Sequence, residues 1–137
     1  RIRSRHNAFM ISQRSAAQEI KRMEANNERG VFGFASDQSP RPKHQTYWRS
    51  FLGTKVPVFT GAERIAKELN IPIVFAKINR VKRGYYEVEF RVLSETPYKI
   101  SDYGITDMFT EWLEVQIKVD PSQYFWTHKR FKHAKKV

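Results

Sequence analysis

The side chains equipped for chemistry in this sequence are carboxylates, a surplus of cations and 4 histidines. Cysteine is absent, which removes disulfides, thiolate metal sites and cysteine nucleophiles. Asp37 is the best placed carboxylate. It follows the apolar run Val31-Phe32-Gly33-Phe34-Ala35, which reads as a strand covered on both faces, and ligands in open α/β sheets bind beyond the carboxyl ends of strands. The plainer role for such an Asp is to cap its loop by accepting backbone N–H bonds. Tyr47-Trp48-Arg49, followed by Phe51-Leu52, mixes rings with a guanidinium. That suits a membrane interface, where indole and phenol settle at headgroup level and Arg49 meets phosphate. In the simpler reading Phe51 and Leu52 are core and Trp48 covers them. Lys129, Arg130 and Lys132, with Lys135 and Lys136 behind them, could attract anionic lipid at roughly 1 kcal/mol per residue near the surface or dock an acidic protein. For Lys135 and Lys136 a solvated tail is the better reading. His128 has no partner at metal-ligand spacing.

These groups need elements to hold them. Ser15-Ala16-Ala17-Gln18 has capping-box spacing, and Ala16, Ile20 and Met23 recur at helical intervals, so a helix is expected over about 14–28. Val31–Ala35 is then a buried parallel strand ending at Asp37. Residues 38–57, broken by Pro40, Pro42, Gly53 and Pro57, read as a long loop. Thr60-Gly61-Ala62-Glu63 is a second capping box, opening a helix whose apolar face is Ala62, Ile65, Ala66 and Leu69. Ile71–Ala76 is another buried strand. A turn over Arg80–Gly84 leads into the alternating run Tyr85–Val92, so a hairpin at the sheet edge is expected. After a polar loop, Ile105, Met108, Phe109, Trp112, Val115 and Val119 follow a helical period, and Asp120-Pro121 suits a new helix start. The order indicates an α/β fold, a partial mixed sheet flanked by helices, without internal repeats. Residues 128–137 form a basic tail expected to fray.

Composition sets the outer bounds. A chain of 137 residues suits one domain. With 40% hydrophobic and 14% aromatic residues it is too apolar to stay disordered. The net charge of +11 predicts attraction to polyanions: nucleic acid, anionic lipid or acidic protein. No apolar run approaches the roughly 20 residues needed to span a bilayer, and Arg1-Ile2-Arg3-Ser4-Arg5-His6 does not resemble a signal peptide. A start at Arg1 without methionine leads us to expect a portion of something longer.

Three blocks carry a resemblance. Phe34-Ala35-Ser36-Asp37-Gln38 is the first. Phe51-Leu52-Gly53 with Val58-Phe59-Thr60-Gly61 and a helix containing Ala66 is the second. Pro121-Ser122-Gln123-Tyr124-Phe125-Trp126-Thr127-His128-Lys129-Arg130-Phe131-Lys132 is the third and most specific. In this order they resemble the C-terminal half of the bacterial lauroyl and myristoyl transferases that complete lipid A, a lysophospholipid-acyltransferase-like family. The resemblance implies the C-terminal half of a glycerolipid-acyltransferase-like fold, residues 1–137 forming one subdomain. It implies transfer of a fatty acyl group from the thioester of acyl carrier protein to a hydroxyl on a lipid acceptor, at the cytoplasmic face of the inner membrane, with no cofactor and no metal. It assigns Asp37 and Gln38 to acceptor binding. Arg3 matches an Arg near the catalytic centre, where a guanidinium could hold a phosphate, though Arg1 and Arg5 leave the register open by two.

The family's chemistry uses a His as general base, oriented by an Asp or Glu five positions later. Here His6 is followed at that distance by Ile11, His44 by Arg49 and His128 by His133. The pair is missing, so the base is expected upstream of this chain, and these 137 residues alone are expected to be inactive. The runner-up acceptor is another bacterial lipid, such as an aminolipid. From a different class, a basic nucleic-acid-binding module would use Tyr47, Trp48 and Tyr85 as stacking platforms, but no nucleic-acid motif supports it and no nucleic acid partner is expected.

Overall fold

A computed structural model describes residues 8–134. They fall into two compact units, one ending at Gly33 and the other beginning at Phe34.

The first unit is built on α1, Ala16–Ala25, inside the expected span. Ile20, on the spaced apolar face, is buried. The Ser15 side chain makes no capping bond to the helix and meets the Ser12 hydroxyl instead at 2.7 Å. The helix stops at Asn26 and Asn27, the latter at φ 58°, a left-handed conformation that asparagine tolerates better than most residues. Beyond it the expected strand over residues 31–35 does not form, and Val31 is 96% exposed. A strand persists only where a neighbour takes its N–H and C=O groups. No described strand lies beside this run, and an apolar run without alternation does not by itself specify one.

The second unit opens with a pinned turn at residues 36–38 and then a hairpin where the sequence suggests only loop. β1, Trp48–Phe51, and β2, Thr54–Pro57, pair antiparallel, with Trp48 opposite Pro57. The two residues between them, Leu52 and Gly53, have φ of 48° and 76°, the doubly left-handed geometry of a type I′ turn. Leu in place of the usual Asn conceals that turn in the sequence, and Pro57 ends its strand, where a missing donor costs least.

Helix α2, Gly61–Leu69, buries Ile65 and Ala66 and stops at Asn70, φ 51°. β3, Ile73–Lys82, and β4, Tyr85–Ser94, form a longer hairpin than expected, closed by Gly84 at φ 82°. β3 is not buried on both faces: Phe75 is buried while Val74 and Ala76 are exposed. One face packs on α3, Gly104–Val119, where Phe75 meets Phe109 at 5.5 Å and Trp112 at 5.8 Å between ring centres. α3 begins where a Cβ would not fit easily. A side chain at Gly104 would place its Cβ 2.7 Å from Ile100 Cγ2.

The core gathers Phe51, Val56, Val58, Phe75, Leu93, Ile105, Leu113 and Ile117. The α/β class expected from the sequence stands, with three helices and two small sheets, but both sheets are antiparallel hairpins and no parallel pair occurs among the described residues. Asp120 opens a single 3-10 turn, Pro121–Gln123, accepting from the Ser122 N–H. The expected fraying from His128 is also corrected. Arg130 is 3% exposed and the Phe131 ring lies 6.1 Å from Phe51, so burial orders this segment through the described residues.

Candidate functional site

The Asp37 turn is held by residues about 90 positions away. The Tyr124 phenol donates to the Asp37 carbonyl at 2.8 Å, and the Ser39 N–H donates to His128 Nε2 at 3.0 Å. Ser39 Oγ donates to the Arg130 carbonyl. In return Arg130 Nη1 donates to Ser39 Oγ at 3.0 Å, the Gln38 carbonyl at 3.2 Å and the Pro57 carbonyl at 2.8 Å. The guanidinium also lies 4.9 Å from the centre of the Phe51 ring. Burial pulls Arg130 below its ordinary arginine value, against the opposing pull of Tyr124 and Asp37. Burial pushes the Tyr124 phenol up, so it stays a neutral donor at physiological pH. All these bonds except those of the Ser39 hydroxyl tie down backbone groups of residues 37–39 and 57. No described residue donates to the Asp37 carboxylate or uses the Gln38 amide, and both side chains are half-buried. The result is a rigid turn presenting an acceptor-only carboxylate beside a donor-acceptor amide, chemistry suited to holding a hydroxyl.

A second cluster surrounds β1. Arg49 pairs with Asp107 at 3.0 Å and also with Glu111. Tyr47 donates to Asp107 at 3.0 Å and stacks on Tyr103 with centroids 3.9 Å apart and planes 6° from parallel. Burial raises the Tyr47 phenol, and Asp107 raises it further. Tyr103 itself is left-handed at φ 65°, an unfavourable conformation for an aromatic residue, fixed at the start of α3.

Beside that stack runs an open groove of about 1060 Å³, whose walls include Tyr47, Trp48, Arg64, Lys67, Tyr98 and Tyr103. Below it Glu63, 5% exposed, accepts from the Thr106 N–H at 2.9 Å and the Thr106 hydroxyl at 2.6 Å. The Thr60 side chain leaves its own helix uncapped, and Glu63 has turned away to satisfy the start of α3. Lys67 bridges Glu63 at 2.9 Å and Asp102 at 3.1 Å. Burial pulls Lys67 down, but the two carboxylates outweigh it and leave the ammonium above its ordinary value. No three metal-ligating side chains gather among the described residues.

Of the residues singled out in the sequence, Asp37, Gln38 and Arg130 are brought together, although Arg130 in another role from the one expected. A side chain 3% exposed that anchors two loops cannot reach a headgroup or a carrier, so Arg130 is a strut. Arg49 is likewise committed, its charge matched by two carboxylates. Trp48 is half-buried and faces the groove. Lys129 and Lys132 are exposed. Arg3, Lys135 and Lys136 lie outside the described residues. Sequence reasoning missed Ser39, the hydroxyl of Tyr124, and Glu63. Only Glu63 left a signal, its capping-box position, and that signal pointed to the wrong helix.

Among the described residues no helix is long and apolar enough to cross a membrane. No curated protein and no solved structure matches the chain. A family does: residues 1–133 match the one described as bacterial lipid A biosynthesis acyltransferase. That match runs through both halves of the pinned turn, Asp37–Ser39 and Tyr124–Arg130, and the chain belongs to the bacterial lipid A biosynthesis acyltransferase family.

Proposed function

We propose that this chain forms the acceptor side of an acyltransferase that moves a fatty acyl group from acyl carrier protein to a hydroxyl of a lipid A precursor at the inner membrane. The reading is supported by the pinned turn. Arg130, His128 and Tyr124 hold residues 37–39 in place, so the Asp37 carboxylate and Gln38 amide meet an acceptor without first being ordered. Asp37 accepts from a sugar hydroxyl or from a cation that binds the acceptor's phosphate, and Gln38 bonds beside it. Proton removal belongs to a His with a following carboxylate, a pair that this sequence does not contain. Arg3 is assigned to the acceptor's phosphate.

The test is a titration of the chain with a lipid A precursor bearing a free acyl-acceptor hydroxyl, in mixed micelles, followed by tryptophan emission. Saturable binding that weakens by about tenfold in Asp37→Ala, as expected for loss of one hydrogen bond to a charged group, supports the reading. Equal binding by Asp37→Ala removes Asp37 from the site. With acyl carrier protein thioester added, these 137 residues should yield no acylated product, and turnover would place a base within them.

A further inference from the structure

The long hairpin has two chemically opposite faces. In its register Val74 faces Val92, Ile78 faces Val88, Phe90 faces Ala76 and Tyr86 faces Arg80. Val74, Ile78, Val88, Phe90, Val92 and Tyr86 are between 44% and 66% exposed. Six large apolar side chains on one sheet face make a patch that soluble surfaces seldom leave without a partner. Arg80 apart, the charges of the paired strands sit on the other face, where Glu89 pairs with Lys77 at 3.7 Å and Arg91 at 2.7 Å. At the tip the chemistry changes again. Lys82 and Arg83 flank the turn and pair with no described carboxylate, Lys82 lies 4.3 Å over the Tyr85 ring, and Tyr85 and Tyr86 are both 61% exposed. Arg80 is different, being held to Asp120 and Ser122.

We propose that this face of the β3–β4 hairpin lies flat on an anionic lipid bilayer, with the aliphatic stripe at the acyl boundary and the tip cations among the headgroups. The inference rests on the lipid-acceptor reading and locates its membrane contact on residues that reading did not use. Charge complementarity selects the occupant. An apolar partner protein would account for the stripe alone, whereas unpaired cations beside exposed phenols at its end match the layering of a membrane interface. Arg49 and Arg130, both consumed inside the fold, leave the tip as a source of free positive charge beside an apolar surface. An amphipathic element of this kind binds in proportion to its buried apolar area and to lipid charge.

The experiment is co-sedimentation of the full chain with vesicles of phosphatidylcholine mixed with phosphatidylglycerol, against phosphatidylcholine alone. Binding should need the anionic lipid and weaken as salt rises. Two variants separate the terms. Val88→Ser with Phe90→Ser should weaken binding by roughly tenfold or more through lost apolar burial, and Lys82→Ala with Arg83→Ala by roughly thirtyfold through lost charge. Every altered side chain is exposed, so unchanged thermal unfolding is the control for folding. Vesicle binding by the serine variant equal to the parent overturns the face. Absence of vesicle binding, or a concentration-dependent dimer that the serine variant dissolves, overturns the bilayer as its occupant. None of these outcomes alters the micelle titration with Asp37→Ala, so this inference and the acyl-transfer reading fail separately.

Discussion

Truncating Arg130 should reveal how much of the fold depends on the pinned turn. Its Nη1 reaches the Pro57 carbonyl at 2.8 Å and Ser39 Oγ at 3.0 Å, both in buried residues, and the Gln38 carbonyl at 3.2 Å. Arg130→Ala leaves the first two without a donor, and each buried acceptor so orphaned costs about 1–3 kcal/mol. The vacated volume beside Phe51 adds to this. Release of a guanidinium already disfavoured by burial returns part of it. The net loss should be about 3 kcal/mol, a large fraction of the roughly 5–15 kcal/mol that stabilises an ordinary domain. Arg130→Met keeps the volume and loses only the bonds, so about 2 kcal/mol is expected. Arg130→Lys keeps one donor group near Pro57 or Ser39 and should lose about 1 kcal/mol. Urea unfolding followed by tryptophan fluorescence measures all three, with the midpoint moving and the slope unchanged. Amide exchange at Ser39 should quicken in the same order. Arg130→Ala within about 0.5 kcal/mol of the parent, the range of an ordinary surface change, would refute the reasoning.

Three further outcomes follow from the geometry. Glu63→Gln keeps the acceptor for Thr106 but turns an amide toward Lys67, and should cost about 1–3 kcal/mol in thermal or urea unfolding. Asn70 ends α2 at φ 51°, so Asn70→Gly should be neutral or slightly stabilising and Asn70→Ala destabilising by about 1 kcal/mol, read from melting temperatures. Tyr47, Tyr124 and Lys67 all have folded values raised above their unfolded ones near 10 and 10.5. Their contribution is complete below those values and is lost as pH rises through the folded ones. Stability measured in urea should therefore hold to about pH 10 and fall above it, and Tyr47→Phe should shrink that fall.

The helices were legible because each carries an apolar face at helical spacing over several turns. For α3 the spacing marked Ile105, Met108, Phe109, Trp112, Val115 and Val119. Of these Ile105 is buried but Val115 and Val119 are exposed, the deeper positions along the helix being Leu113 and Ile117. Ile65 and Ala66 mark α2 as clearly in the sequence as in the core. The strands were less so, for two distinct reasons. Residues 31–35 and 71–76 are both apolar runs, and whether such a run is buried on both faces depends on what covers it, which composition does not encode. The β1–β2 hairpin was hidden by turn chemistry, since Leu52 occupies a left-handed position where Asn or Gly would have announced the turn. In the candidate site, Asp37 was singled out by the family resemblance and by the end of a strand that does not form, so its position in a turn was not legible. Nor were its supports, because the bonds from Tyr124, His128 and Arg130 span the length of the unit and leave no local spacing to read.

Net charge alone does not say where on the molecule a cation can act. A net charge of +11 reads as a uniform attraction to polyanions, yet a cation acts on a distant partner only if the fold has not already neutralised or buried it. Arg49 faces two carboxylates, Lys67 faces two, and Arg130 is withdrawn from solvent altogether. Each of these cations does its work inside the molecule, joining β1 to α3, α2 to the start of α3, and the Asp37 turn to the end of β2. The sequence cannot distinguish Arg49 and Arg130 from Lys82, Arg83, Lys129 and Lys132, because the distinction lies in whether a carboxylate or carbonyl about sixty or ninety positions away folds onto the same spot. Only the Glu63–Lys67 pair, four residues apart on one helix, has a local spacing to read. Where the fold leaves cations unmatched beside apolar surface, as at the tip of the long hairpin, the excess charge acquires a direction. It is that direction, and not its total, which decides what the chain meets.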